Sequence, residues 1–411
     1  MPELLLIRHA ESETNRSGVW AGRSDGPLSP AGEASLELLG RRYAGQKLDL
    51  VLSSPLDRAR RTAAALSSDV ETSEAFVEID IGRWEGKTRE EVLAVDDELV
   101  RNARFDRQLA WGETGESLHA AEARAFSAIE EIAGRLGEHG RGAVVTHGGL
   151  LNAVLHRYLG GARKRVHAFA GNTAVTKLVW THDHLPRLGS FNDMGHLGPR
   201  SHLVTEQLAA NRPVLALIRH GQTRANIEGR WQGQDDWDLD ERGHSQAAAL
   251  RDWYGTADLV YASPLGRAQT TAGYLANNGV VTVDDLKELS MGKWEGLTSP
   301  EIMEHAEGLM QSIFMDGVDL RRGEVGESWG ELAHRFRNAV HALQPAQGVP
   351  TFVVAHGGAI RAYVSSLTST TDSHAESLYT PKNTSVTHIA FTDHGPLILD
   401  YGVATHLESL S

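Results

Sequence analysis

Short apolar runs alternate along this chain with longer stretches in which apolar residues recur at helical spacing. Pro2 to Ile7, Asp49 to Ser53, Ala143 to Thr146 and Ala174 to Val179 are rich in Leu or β-branched residues and bounded by turn residues. Continuous apolar runs of that length predict strands covered on both faces, the environment of a mainly parallel sheet. Between such runs, Leu118, Ala121, Ala125, Ile129, Ile132 and Leu136 recur every three or four residues, and Trp329, Leu332, Phe336, Val340 and Leu343 do the same later on. These stripes are the core faces of amphipathic helices. Strands alternating with helices predict an α/β architecture of three layers, α/β/α, with the functional site at the carboxyl ends of the strands.

The pattern occurs twice. At an offset of 209 to 211 residues, Leu6-Ile7-Arg8-His9 returns as Leu217-Ile218-Arg219-His220, and Ser54-Pro55-Leu56 with Arg58-Ala59 as Ser263-Pro264-Leu265 with Arg267-Ala268. Gly82-x-Trp84-Glu85-Gly86 returns as Gly292-x-Trp294-Glu295-Gly296, Gly115-Glu116-Ser117 as Gly326-Glu327-Ser328, and His147-Gly148-Gly149 as His356-Gly357-Gly358. Asn172-Thr173 and His196-Leu197 are echoed by Asn383-Thr384 and His406-Leu407. The period is too long for a solenoid repeat, so we read two tandem domains made by duplication, 1–198 and 213–411, joined by a linker over 199–212. Thr205 to Ala210 within the linker fits a short helix. A duplicated chain can also pair its own halves in place of a homodimer.

Composition narrows the partners. The 411 residues carry 40 Lys and Arg against 54 Asp and Glu, a net charge of −14, which argues against nucleic acid or any general polyanion as partner. With 41% hydrophobic and 23% charged residues, the chain is globular in type. It has no cysteine, so disulfides, thiolate metal sites and Cys nucleophiles are excluded. The N-terminal residues do not read as a signal peptide, and no run reaches the ~20 apolar residues of a membrane span, so we expect a cytoplasmic protein without a membrane partner.

The duplication serves as an internal control on candidate chemistry. Gly22-Arg23-Ser24-Asp25-Gly26 fits a serine-hydrolase nucleophile elbow, but its counterpart Gly233-Gln234-Asp235-Asp236-Trp237 has no Ser. Gly82 to Thr88 is one residue short of a P-loop, and the second copy has Leu297 at the essential Lys. Two His, two Arg and one Glu per half do survive, each beside a predicted strand end. An isolated buried Arg or His is ordinarily structural; two of each together point to an anion. Arg8 and Arg58, with Arg219 and Arg267 in the second half, offer planar bidentate donors to a phosphoryl group. Pro55 and Pro264 stand where a helix should begin, so the same anion is expected to meet a helix N-terminus. His9 and His220 end a strand, where a hydrogen bond to one ring nitrogen leaves the other free to attack phosphorus. Asn15 and Asn226 follow six residues on. His147 and His356 open glycine turns that would let a ring and backbone amides approach the transferring oxygens. Glu78 and Glu288 can protonate a leaving oxygen; Glu85 and Glu295 are rivals that spacing alone does not exclude.

With these motifs in order twice, both halves resemble the histidine phosphatase superfamily, the phosphoglycerate mutase-like fold whose nucleophile lies in an Arg-His-Gly signature. The resemblance implies His9 and His220 as phosphorylated nucleophiles. It implies Arg8, Arg58 and His147, then Arg219, Arg267 and His356, as phosphate holders, with Asn15 and Asn226 assisting. It also selects Glu78 and Glu288 as proton donors. The first half departs in having Ala10 where the signature has Gly and Ser12 in place of Thr; the second keeps Gly221 and Thr223. Ala is expected to cost little unless the position needs positive φ.

The implied reaction is hydrolysis of a small phosphomonoester in two steps, with no metal and no cofactor. Two alternatives belong to other classes. A phosphomutase of this family would carry a longer insertion and a Tyr where this chain has Ile81 and Met291. A phospho-ligand binding or regulatory protein would have no use for Glu78 or Glu288. His182 and His184 lack zinc-ligand spacing and are read as surface residues. Between the acid and Gly-Glu-Ser the halves diverge: Arg101, Arg104 and Arg107 form either a solvated face or a rim for an anionic substrate, and Met303, Leu309, Met310, Ile313, Phe314 and Met315 form an apolar segment read as packing. We expect the two sites to prefer different phosphomonoesters.

Overall fold

In a computed structural model the described residues are 1–160, 166–181, 186–368 and 377–410. They fall into two compact units: residues 1–198 without Val166–Ala168, and Val166–Ala168 with residues 199–411.

The first unit runs β1 (Glu3–Arg8), α1 (Glu13–Arg16), α2 (Pro30–Tyr43), β2 (Leu50–Ser53), α3 (Asp57–Ala64), β3 (Glu71–Thr72), α4 (Arg89–Phe105), α5 (Leu118–Leu136), β4 (Arg141–Thr146), α6 (Gly148–Leu159), β5 (Val175–Trp180) and β6 (Pro186–Asp193). Its sheet has the order β3-β2-β4-β1-β5-β6. The first four strands are parallel; β5 runs antiparallel to β1, and β6 antiparallel to β5. Leu4 to Ile7 are buried on both faces, as the unbroken apolar run requires.

The second unit runs α7 (His202–Ala209), β7 (Val214–Arg219), α8 (Arg224–Glu228), α9 (Glu241–Tyr254), β8 (Ala257–Ala262), α10 (Gly266–Leu275), β9 (Ala276–Thr282), α11 (Ser299–Phe314), α12 (Trp329–Ala342), β10 (Thr351–Ala355), α13 (Gly357–Thr368), β11 (Val386–Thr392) and β12 (Gly395–Ile398). The sheet order is the same, β9-β8-β10-β7-β11-β12. Each unit is a mainly parallel sheet flanked by helices. Among the described residues no helix is long and apolar enough to cross a membrane.

The helix stripes lie where periodicity put them. All six stripe residues of α5 are buried, as are Trp329, Leu332, Phe336 and Val340 of α12; Leu343 is the residue just past its end. Ser117 caps α5, and Ser328 with Glu331 forms a reciprocal capping box on α12. The segment read as a linker carries α7, longer than the short helix expected there. Its Val204 packs with Val214, Ala390 and Leu399 of the same unit.

The parallel core positions the site. Arg8 pairs with Thr146 at the carboxyl end of the β1–β4 ladder, and Arg219 with Ala355 at the end of β7–β10. His9 and His147, and likewise His220 and His356, therefore leave adjacent strands at the same edge.

Candidate active site

In each unit the two histidines face one another. Ring centroids of His9 and His147 lie 5.0 Å apart, tilted by 59°. Those of His220 and His356 lie 5.2 Å apart at the same tilt. His9 Nδ1 is 2.6 Å from the Ala10 carbonyl and His220 Nδ1 2.7 Å from that of Gly221. A carbonyl can only accept, so Nδ1 carries the proton and Nε2 keeps its lone pair. Burial depresses both imidazoles well below their ordinary value, and the neighbouring arginines of each unit push the same way. Each ring is thus a neutral base with a free nitrogen.

The arginines are fixed by backbone oxygens. Arg8 donates to Ala170 O and Arg219 to Pro381 O, both at 2.7 Å, while the buried Nε of each has no partner among the described residues. Arg58 is held by Ser24 O, Gly22 O and Asp25, and Arg267 by Asp235 O and Gly233 O. Such buried cations oblige a nearby anion.

Glu78 and Glu288 lie against the glycine turns. Glu78 accepts from the amides of Gly149, Leu150 and Ile79 at 2.8–2.9 Å. Glu288 accepts from Gly358 and Leu289 at 2.9 and 2.8 Å. A Cβ on Gly149 would stand 2.7 Å from Glu78 Oε1, and one on Gly358 2.5 Å from Glu288 Oε1. A side chain at either glycine would push the carboxylate out of this place. Burial raises the Glu78 carboxyl above its ordinary value against the opposing effect of these amides.

Glu85 and Glu295 are elsewhere. Glu85 gathers the amides of Gly22, Arg23 and Ser24, and Glu295 those of Gln234 and Met291. They shape the loop whose carbonyls grip Arg58 or Arg267. Ser24 hydrogen-bonds Glu85 in that loop.

Two expectations about backbone amides are corrected. α3 and α10 begin at Asp57 and Gly266, two residues after Pro55 and Pro264, with Leu56 and Leu265 as N-caps. Their first amides already bond Asp25 and Asp236, so those helix N-termini are taken by protein carboxylates. In the glycine turns the amides of Gly149 and Leu150, and that of Gly358 in the second unit, donate to Glu78 and Glu288, so these amides serve the acid. Of the three arginines, Arg101 is exposed and pairs with Asp97 on its own helix, as a solvated face would have it, and Arg107 is tied to Glu122. The Arg104 side chain, His182 and His184 lie outside the described residues. In the apolar segment Met310 and Ile313 are buried and Phe314 meets Trp231 edge-on, whereas Met303 and Met315 are exposed.

Asn15 and Asn226 are brought in by a second asparagine that sequence reasoning did not assign. Asn172 Nδ2 donates to His9 O and Asn15 Oδ1, and Asn383 does the same to His220 and Asn226. The carboxamide oxygens of Asn15 and Asn226 also accept from Ser12 N and Thr223 N, which leaves Nδ2 to donate. Thr173 and Thr384 hold φ of +57°, costly for a β-branched residue. Hydrogen bonds to His196 and His406 pin their hydroxyls. Ser54 and Ser263 lie 2.7 Å from Nε2 of His147 and His356. Recurrence in both halves was the available signal for all of these.

The comparisons with known proteins show the family. The family described as histidine phosphatase superfamily (branch 1) matches residues 4–194 and again 215–404. A metal-independent phosphoserine phosphatase of Arabidopsis thaliana is 33% identical over 204 residues, 48% of this chain and 84% of that protein. A glucosyl-3-phosphoglycerate phosphatase of Mycobacterium tuberculosis is 37% identical over 167 residues, 37% of this chain and 74% of that one. A solved mycobacterial glucosyl-3-phosphoglycerate phosphatase aligns with 47% of this chain and 99% of its own at 29% identity, with a TM-score of 0.43. Matched from end to end in two consecutive copies, the chain belongs to the histidine phosphatase superfamily, branch 1.

Proposed function

We propose that each half hydrolyses a phosphomonoester through its own phosphohistidine, with His9 and His220 as nucleophiles and Glu78 and Glu288 as proton donors. The chain is a phosphoric monoester hydrolase by family, and the proposal concerns the number of sites and the work of each residue. The observation that carries it is the same in both units: a neutral histidine tied at Nδ1, two anchored arginines and a half-buried carboxylate bonded to the glycine turn at one strand edge.

His9 Nε2 attacks phosphorus, the ester P–O bond breaks, and the Glu78 proton passes to the departing alkoxide. Water then attacks the phosphohistidine, gives its proton to Glu78 and releases phosphate. Arg8, Arg58, His147 and Asn15 offset the charge on the transferring oxygens. His220, Glu288, Arg219, Arg267, His356 and Asn226 repeat this in the second half. The relatives named above act on phosphoserine and glucosyl-3-phosphoglycerate, which supports a small carboxylate-bearing phosphomonoester as substrate class. We place the reaction in the cytoplasm and assign domains 1–198 and 213–411 to the two sites.

The test is phosphate release from 4-nitrophenyl phosphate in excess EDTA by the wild type, His9→Ala, His220→Ala and the double variant. Partial loss in each single variant and complete loss in the double is expected. Activity surviving the double variant would remove both nucleophiles from the proposal. Release that depends on a bisphosphate primer would replace it with a mutase, and no release from the wild type with a binding protein.

A further inference from the structure

We infer that Ser54 and Ser263 are positioning residues that fix the tautomer of His147 and His356, so that each ring presents an Nδ1–H donor to the transferring phosphoryl group. The inference rests on the proposed phosphatase reading and deepens it.

Ser54 and Ser263 are fully buried. Each Oγ has two partners among the described residues: Nε2 of the second histidine at 2.7 Å, and the backbone N–H of Leu56 or Leu265 at 3.3 or 3.4 Å. The backbone N–H can only donate, so the serine oxygen accepts there. The histidine must then receive the hydroxyl proton, because no other acceptor bonds it among the described residues and a buried O–H left unpaired is costly. An Nε2 that accepts is bare, which puts the ring proton of the neutral imidazole on Nδ1. Nδ1 of His147 and of His356 is buried and has no partner among the described residues. It lies in the neighbourhood of His9, Arg58 and Arg8, or of Arg267, His220 and Arg219. Burial and those cations hold both rings neutral, so the ring has one proton to offer, and the serine decides which nitrogen bears it. In the opposite tautomer a lone pair would face the phosphoryl oxygens and repel them.

The arrangement divides the two histidines. In His9 a carbonyl accepts from Nδ1 and frees Nε2 as a nucleophile; in His147 a hydroxyl donates to Nε2 and frees Nδ1–H as a donor. Two rings of the same chemistry, 5.0 Å apart, are set to opposite tasks by what touches their far side.

The test uses the full chain with the other half silenced: Ser54→Ala in His220→Ala, and Ser263→Ala in His9→Ala. On 4-nitrophenyl phosphate, kcat should fall about 10- to 100-fold, since a transition-state donor is misdirected while the ring stays in place. The histidine ¹⁵N spectrum, assigned by difference with His147→Gln, should show Nδ1 protonated in the parent and a tautomer mixture in the serine variant. Adding Ser54→Ala to His147→Gln should cost nothing further, because the serine acts through the ring. Unchanged kcat, an unchanged tautomer, or losses that add in the double variant would overturn the inference. A parent whose activity ignores His9 and His220 would instead overturn the phosphohistidine reading itself.

Discussion

The two halves agree where phosphorus would sit and differ around it. Hydrogen bonds at the reacting centre repeat almost atom for atom: Nδ1 to the next carbonyl, second histidine to serine, acid to glycine-turn amides, asparagine to asparagine. One shell outward the pairs part. Arg23 on the loop gripping Arg58 is half-exposed and 3.8 Å from Glu116, whereas its counterpart Gln234 donates to Glu288 O. Trp111 stands among Trp20 and Trp84 in the first unit; Arg322, paired with Asp319, has its place in the second. Around β11 of the second unit, Tyr254, His388 and Asp400 form a buried hydrogen-bonded chain, where the first unit has Tyr43 and a Lys177–Glu3 ion pair. Phosphoryl chemistry constrains every atom around the nucleophile, while surroundings that meet only the leaving group or the core are free to drift.

The strongest test of that agreement is the acid. Glu78→Gln, measured with the second site silenced by His220→Ala, and Glu288→Gln with the first silenced by His9→Ala, should each lower kcat/KM by about 10²–10⁴ on an alkyl phosphate. The loss should be smaller on 4-nitrophenyl phosphate, whose leaving group needs little protonation. An effect in one half and none in the other would end the equivalence of the sites.

pH comes next. In the His220→Ala protein the proposed acid is Glu78, which must be protonated, and burial raises its pKa, so activity should persist above the ordinary carboxylate range and fall as pH rises through the shifted value. The proposed nucleophile is His9, which must be neutral, and its depressed pKa keeps it so well into acid. The profile of kcat/KM should therefore be flat through mild acid with a descending limb on the alkaline side, and Glu78→Gln should remove that limb. A rate still climbing above pH 9 would deny Glu78 the role of acid.

Ala10 and Gly221 offer a structural contrast. Neither has positive φ, so the glycine of the second half is not there for backbone freedom. Instead, a Cβ on Gly221 would stand 2.7 Å from Gly243 O at the start of α9, whereas Ala10 is buried without such a penalty. Gly221→Ala should destabilise the second unit by about 1–3 kcal/mol as overpacking does. Ala10→Gly should cost about 1 kcal/mol or less. Calorimetric unfolding checks both, and equal costs would mean that the two backbones do not differ there.

How far the sequence carried these conclusions depends on the kind of signal. Apolar runs and stripes located β1, β2, β4, β5, α5 and α12, because burial on a regular element leaves a period. They could not show that β5 runs antiparallel, since a doubly covered strand reads alike in either direction. The edge strands β3 and β9 lie largely exposed and leave no such run. At the site, His9, His147, Arg8, Arg58 and Glu78 were legible because each recurs beside a strand end. Glu85 recurs equally well, so recurrence alone did not separate a carboxylate that builds a loop from one beside the nucleophile; the family resemblance did. Ser54 and Asn172 were visible as repeats yet silent about their work, which lies in contacts across 93 and 163 residues of chain, as was Thr173, whose hydroxyl meets His196 23 residues on.

The smallest effect concerns specificity. Arg23 and Gln234 occupy equivalent places on the loop that grips Arg58 or Arg267, and only the first half puts a guanidinium there that a substrate carboxylate could meet. Its ion pair with Glu116 is long and its own side chain half-exposed, so the charge is screened and worth about 1 kcal/mol to a bound anion. Arg23→Gln, assayed with the second site silenced, should raise KM for 3-phosphoglycerate by about 3- to 10-fold while leaving 4-nitrophenyl phosphate nearly unchanged. Gln234→Arg in the complementary background should move the second site the other way, minus what is lost with the Gln234 bond to Glu288 O. If both substrates shift together, the loop is setting the phosphate grip rather than reading the leaving group. The divergence between the halves would then have to be sought in the segments after each acid, where Arg107 is clamped and Met315 is exposed.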